Sequence, residues 1–210
     1  MDIILKIVCF LFCSAAAVSV FTYLFFWYEN SDSARRRALE ASGKSLLALT
    51  AKGMLTGFGS LLVLFVFYPL GYIRSLWRPR ELQSSQPVIV LVHGLYHNAS
   101  AWLIFKQRLR KSGFVNVYAM NYCSFFTTFD AVLEKLSRFI QRLRVPDSGQ
   151  PIIIIGHSLG GLLARVYAEK TLGAHAPAAI ISLGTPHKGS KMAAFGIGNL
   201  AGSIIYKGDL

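Results

Sequence analysis

Gly156-His157-Ser158-Leu159-Gly160-Gly161 is the stretch of this chain best suited to chemistry. It follows Pro151-Ile152-Ile153-Ile154-Ile155, which reads as a buried strand. It precedes residues 159–172, which read as a helix stopped by Gly173. A serine in G-x-S-x-G between a strand and a helix sits on a sharp turn that lifts its hydroxyl out of the sheet. Gly156 and Gly160 leave out the side chains that would collide at such a turn. The following helix aims its N-terminus at the place where an oxyanion would form. The chemistry implied is nucleophilic attack by Ser158 on a carbonyl carbon. A phosphate cradle is the competing reading, but the Lys-Ser/Thr ending and the G-x-G-x-x-G spacing are both missing.

The other elements must bring partners to that serine. Residues 87–92 form an apolar, β-branched run that stops at His93-Gly94-Leu95, and they read as a first parallel strand. If this strand lies beside the one before Ser158, the backbone N–H groups of Leu95 and Leu159 are the expected oxyanion donors. One such donor is worth roughly 3–4 kcal/mol in a transition state. His93 is expected to brace its loop rather than act as a base, and Gly94, His157 and Gly161 are expected to support the turn. Ser100 is expected to cap a helix over residues 101–111, ended at Gly113. Residues 115–122 read as a second strand. Residues 128–144 read as a helix, because Phe129, Val132, Leu133, Leu136, Phe139, Ile140 and Leu143 repeat at the helical period. Residues 178–183 read as a fourth strand, running into Gly184-Thr185-Pro186-His187-Lys188-Gly189. Strands alternating with helices of this length imply an α/β domain with a parallel sheet. Its ligands are expected beyond the carboxyl ends of the strands.

His93-Gly94, the elbow around Ser158 and Gly184-Thr185-Pro186-His187-x-Gly189, in that order, resemble the α/β-hydrolase superfamily. Within it they are most similar to bacterial lipases and esterases of the triacylglycerol-lipase type. The resemblance covers residues 87–191, half of the chain, and implies a partial α/β-hydrolase fold with about four parallel strands. It implies a serine hydrolase cleaving carboxylic esters, lipids or small esters, through an acyl-enzyme on Ser158, with no cofactor and no metal. An acyltransferase on the same scaffold is the alternative, as is a non-catalytic relative. The family's acid and histidine follow the serine in the chain. After Ser158 this chain offers Glu169 inside a helix, His175 at the far end of the sheet, His187 as a loop-bracing residue and Asp209 near the end. The resemblance therefore implies that the triad acid and histidine are absent from this chain and that the hydrolase domain, residues 87–210, is a C-terminally truncated fragment.

The remainder is apolar. Of 210 residues, 53% are hydrophobic and only 15% charged, against about 25% in ordinary soluble domains. The excess lies in two uncharged runs, residues 7–28 and 53–73. At about 1.5 Å per residue each spans a hydrocarbon core of roughly 30 Å. Residues 1–80 thus read as a two-helix membrane anchor, with a signal peptide as the alternative for the first run and a buried core helix for the second; the anchor reading makes the chain a multi-pass protein in a bilayer, by the bacterial resemblance an inner membrane. Phe25, Phe26, Trp27 and Tyr28, and Tyr68, Tyr72 and Trp77, suit the interfaces. Arg35, Arg36, Arg37, Lys44 and Lys52 lie between the runs, and Lys6, Arg74, Arg78 and Arg80 lie outside them, so the charge rule leaves the side of Ser158 open. The net charge of +12 suits lipid phosphates, and no nucleic-acid motif accompanies it. The three cysteines have no disulfide or metal spacing. Acyl specificity, protein partners and oligomeric state are not encoded in any motif.

Overall fold

The computed structural model describes residues 2–29, 34–79, 83, 85–143, 149–171 and 176–205. They fall into two compact units, one up to Phe67 and one from Tyr68 onward.

The first unit is helical. Helix α1 runs Asp2–Glu29, α2 Ala34–Ala41 and α3 Leu46–Phe67. The second apolar helix thus begins seven residues earlier than expected and ends earlier too. Lys52 lies within it, since a single long cationic side chain does not break a helix. Pro69 follows its end, in a 3-10 turn over Tyr68–Tyr72. Short helix α2 is held in part by an Arg36–Glu40 ion pair at 2.9 Å. Helices α1 and α3 pack through small residues. A Cβ on Gly53 would collide with the Tyr23 ring, and one on Gly57 would lie 3.3 Å from Ser19 Oγ. This G-x-x-x-G face lets two backbones approach closely. Ser19 donates a hydrogen bond to the Met54 carbonyl at 2.8 Å, and Trp27 Nε1 donates to Thr50 Oγ1 at 2.6 Å. Ile4, Phe10, Leu55 and Val66 are among the large apolar side chains left outward. Both helices are long and apolar enough to cross a membrane.

The second unit is a four-stranded parallel sheet of β1 (Val88–Val92), β2 (Val117–Met120), β3 (Ile152–His157) and β4 (Ala179–Leu183), in the order β2-β1-β3-β4. The helices are α4 (Leu103–Lys111), α5 (Phe129–Leu143), α6 (Leu159–Lys170) and the short α7 (Asn199–Gly202). The two-residue period of a strand sorts the side chains onto two faces. Val88, Val90 and Val92 join Ile152 and Ile154 under α5 and α6, with Leu136, Ile140, Leu159 and Leu163. Ile89 and Leu91 join Val117, Ala119 and Ile155 on the other face, with Trp77 and Trp102. The chain therefore leaves β1 toward one face and leaves β3 toward the other. That makes the gap between β1 and β3 the switch point of the sheet, where ligands enter such folds.

Two local expectations are corrected. The cap after β1 is Asn98 rather than Ser100: its side chain accepts the Ser100 N–H at 2.9 Å and starts a 3-10 turn over Ala99–Trp102 that leads into α4. The second strand is shorter than expected, ending at Met120, because Asn121 turns aside to accept the Ala99 N–H and to donate to the Gly71 carbonyl.

Candidate active site

Ser158 stands at the switch point, between the end of β3 and the first residue of α6. Its backbone is left-handed, with φ +52 and ψ −120. A non-glycine residue held there stores about 1–3 kcal/mol of strain, so its surroundings must fix it. They do so by close packing. The Ser158 N–H donates to the Leu183 carbonyl at 2.9 Å, which ties the turn to the end of β4. A Cβ on Gly156 would collide with the Gly160–Gly161 backbone. A Cβ on Gly160 would run into the Val92 carbonyl oxygen and come within 2.8 Å of that of His93. A Cβ on Gly161 would strike the Thr185 side chain. The start of α6 is therefore pressed onto the ends of β1 and β4 at distances that only glycine permits. Leu159, the first residue of α6, has an N–H with no acceptor inside the helix.

The loop after β1 meets the same turn. Val92 pairs with Gly156 in register, so His93 and His157 leave the sheet side by side. A Cβ on Gly94 would sit 3.1 Å from Ser158 Cβ and 3.0 Å from His157 Nδ1. His93 is fully buried. Its Nδ1 donates to the Gly94 carbonyl at 2.8 Å, and its Nε2 accepts the Tyr122 N–H at 3.3 Å. These two bonds fix the neutral Nδ1–H tautomer. Burial pushes its pKa down to about 3, which keeps it neutral. In a trans peptide the C=O and the following N–H point in opposite directions. By gripping the Gly94 carbonyl, His93 therefore orients the Leu95 N–H away from its own ring.

The remaining candidates lie elsewhere. His187 is exposed, and its Nδ1 is 3.2 Å from Arg165 on α6. Glu169 pairs with the same Arg165 at 3.4 Å. Arg165 is two helical turns beyond Ser158, roughly 10 Å along α6. His175 and Asp209 lie outside the described residues. Among the described residues no group of His, Cys, Asp and Glu has the arrangement of a metal site. Sequence reasoning passed over Tyr122 and His97. Tyr122 stacks on His93 and donates its phenol proton to the His93 carbonyl at 2.7 Å. The His97 ring faces that of His157 at 6.3 Å, and burial lowers its pKa. Neither has a signal in spacing, because each pairing depends on which strands are neighbours.

A family model described as the alpha/beta hydrolase family matches residues 89–204, more than half of the chain. The chain belongs to the alpha/beta hydrolase family. The match takes in β1 through α7 and the whole of the elbow. No curated protein matches this hydrolase chain. Solved structures similar to it include the Bacillus licheniformis lipase BlEst2 in propeptide form, with TM-score 0.47, 21% identity, and cover of 61% of this chain and 32% of that one. The mature form of BlEst2 has TM-score 0.47, 22% identity, and cover of 61% and 58%. The Legionella pneumophila phospholipase PlaB in complex with thio-NAD has TM-score 0.47, 20% identity, and cover of 57% and 31%. The aligned part of this hydrolase thus spans between about a third and three fifths of the length of those chains.

Proposed function

We propose that this alpha/beta hydrolase is a membrane-anchored serine hydrolase acting on carboxylic esters of lipids. The observation that carries the reading is the strained backbone of Ser158 on a turn packed at glycine-only distances, with Gly94 against it. In this reading Ser158 Oγ attacks the acyl carbonyl and the alcohol leaves, giving an acyl-enzyme that water opens to the free acid. The Leu95 and Leu159 N–H groups hold the oxyanion of each tetrahedral intermediate. His93 is a positioning residue, acting through the Gly94–Leu95 peptide. An apolar substrate is supported by the two helices, whose outward side chains are apolar and which are long enough to hold the chain at a bilayer.

A non-catalytic lipid-binding role is the second reading. It is favoured by the placement of His187 and Glu169, both engaged with Arg165 rather than with Ser158. Release of acid from a medium-chain p-nitrophenyl ester by the full chain in micelles separates the two. The hydrolase reading expects acid release by the wild-type chain that is lost in Ser158→Ala. Equal rates in both proteins exclude it.

A further inference from the structure

A cavity of about 260 Å³ opens beside the loop that follows β1. Its walls include Tyr68 and Tyr72 on the 3-10 turn, Tyr96, Tyr122 and Ser124 beyond β1 and β2, and Lys135 on α5. Tyr96 follows Leu95 in the chain, and Ser158 is not among the lining residues.

Most polar groups of the lining are already used. The amides of Asn98 and Asn121 donate to the Tyr68 and Gly71 carbonyls and accept from Ser100 and Ala99 N–H groups. The Tyr96 phenol is engaged with the Ile197 backbone, and the Tyr122 phenol with the His93 carbonyl. What remains is a set of donors. Ser124 Oγ already accepts the Tyr96 N–H, which leaves its hydroxyl proton. Tyr68 and Tyr72, with ring centroids 6.0 Å apart, add phenol protons to the lining. Lys135 supplies an ammonium group that forms no ion pair among the described residues. No carboxylate lines the cavity.

Donors around one cation fit an anion. A lysine is a compact point charge and suits the oxygens of a phosphate, whereas a flat carboxylate is better matched by the fork of an arginine. The aromatic walls suit a short carbon skeleton attached to that anion. The volume is just below the range of ordinary ligand pockets, which begins at about 300 Å³, so it suits a headgroup rather than a long acyl chain.

We propose that this cavity binds a phosphate ester, its oxygens held by Lys135, Ser124 and the Tyr68–Tyr72 pair. Resting on the hydrolase reading, the substrate is then a phosphate-bearing glycerolipid, with its phosphate in the cavity and an acyl carbonyl at Ser158. The binding itself does not depend on a reactive serine.

The test uses the full chain carrying Ser158→Ala in a neutral detergent, titrated calorimetrically with glycerol 3-phosphate and with glycerol. Saturable binding of the phosphate alone is expected. Lys135→Met should weaken it by roughly tenfold or more, and Lys135→Arg should keep most of it. Lys135 is exposed, so these variants fold. Phosphatidic acid added to the micelles separates the two sources. Displacement of glycerol 3-phosphate supports a lipid headgroup, and no displacement supports a free phosphate ester. Equal affinity in Lys135→Met, or no binding at millimolar concentration, overturns the proposal. Since the serine is already removed, failure here leaves the hydrolase reading standing.

Discussion

The ring of His93 lies flat on that of Tyr122, with centroids 4.0 Å apart and planes 11° from parallel. Tyr122 also donates two hydrogen bonds to His93, from its N–H to Nε2 and from its O–H to the carbonyl. Through the second nitrogen of the ring, this buried pair reaches the Gly94 carbonyl and so the peptide that abuts Ser158.

That arrangement predicts a particular sensitivity to acid. His93 has its pKa pushed down to about 3 by burial, below its ordinary 6.5. The unfolded chain therefore binds a proton that the folded chain refuses between those values. Stability should fall as pH drops from 6.5 toward 3, by up to about tenfold in the folding constant per pH unit. Denaturant titrations of the wild type and His93→Gln across that window check it. The variant should show the shallower slope, and parallel slopes would remove His93 from the explanation.

Lys106 predicts the opposite edge of the pH range. It is buried, donates to the Leu76 carbonyl at 2.6 Å and lies 5.6 Å from the centroid of the Trp77 ring. Burial, with Arg110 nearby, lowers its pKa from 10.5 to about 8. Between pH 8 and 10.5 the unfolded chain holds the extra proton, so this lysine should add stability as pH rises through that window. The contribution should vanish in Lys106→Met, read as the difference between the two stability profiles.

The elbow predicts a steric result. Gly160→Ala places a methyl group on the Val92 carbonyl oxygen, a backbone atom that cannot rotate away. We expect a loss of about 1–3 kcal/mol in chemical denaturation. Under the hydrolase reading, activity should fall further than the unfolded fraction accounts for, because the turn carrying Ser158 moves with the glycine. A fully stable variant would contradict the packing described.

The helical pair offers a covalent check. Gly57 faces Ser19 closely enough that a Cβ there lies 3.3 Å from Ser19 Oγ. With the native cysteines replaced, Ser19→Cys combined with Gly57→Cys should form an intramolecular disulfide under a membrane-permeant oxidant, since the new Cβ at position 57 faces the place of the Ser19 Oγ, where the second sulfur would stand. Reduced chains only, or dimers only, would argue that α1 and α3 do not pack in this register.

Much of this was legible in the sequence. The strands β1 and β3 were visible because continuous β-branched runs end abruptly at His93-Gly94 and Gly156-His157-Ser158. Helix α5 was visible from its apolar period. The start of α3 was not, because Lys52 interrupts an uncharged run without interrupting a helix. Asn98 was missed as a cap because Ser100 stands two residues on and offers an equally good hydroxyl. The hold of Tyr122 on His93 and of Arg165 on His187 depends on strand order and on the path of α6, and spacing along the chain carries neither. The family match places residues 89–204 in the alpha/beta hydrolases, while the roles proposed for Ser158, Leu95 and Leu159 are argued from the geometry of the turn and await test.

The most direct test of that role is covalent. The full chain in neutral detergent is treated with a fluorophosphonate, digested and mapped by mass spectrometry, beside Ser158→Ala. One phosphonylated serine is expected in the peptide around Ser158, and no adduct in the variant. An unmodified Ser158 in folded protein, or equal labelling of both chains, would contradict it.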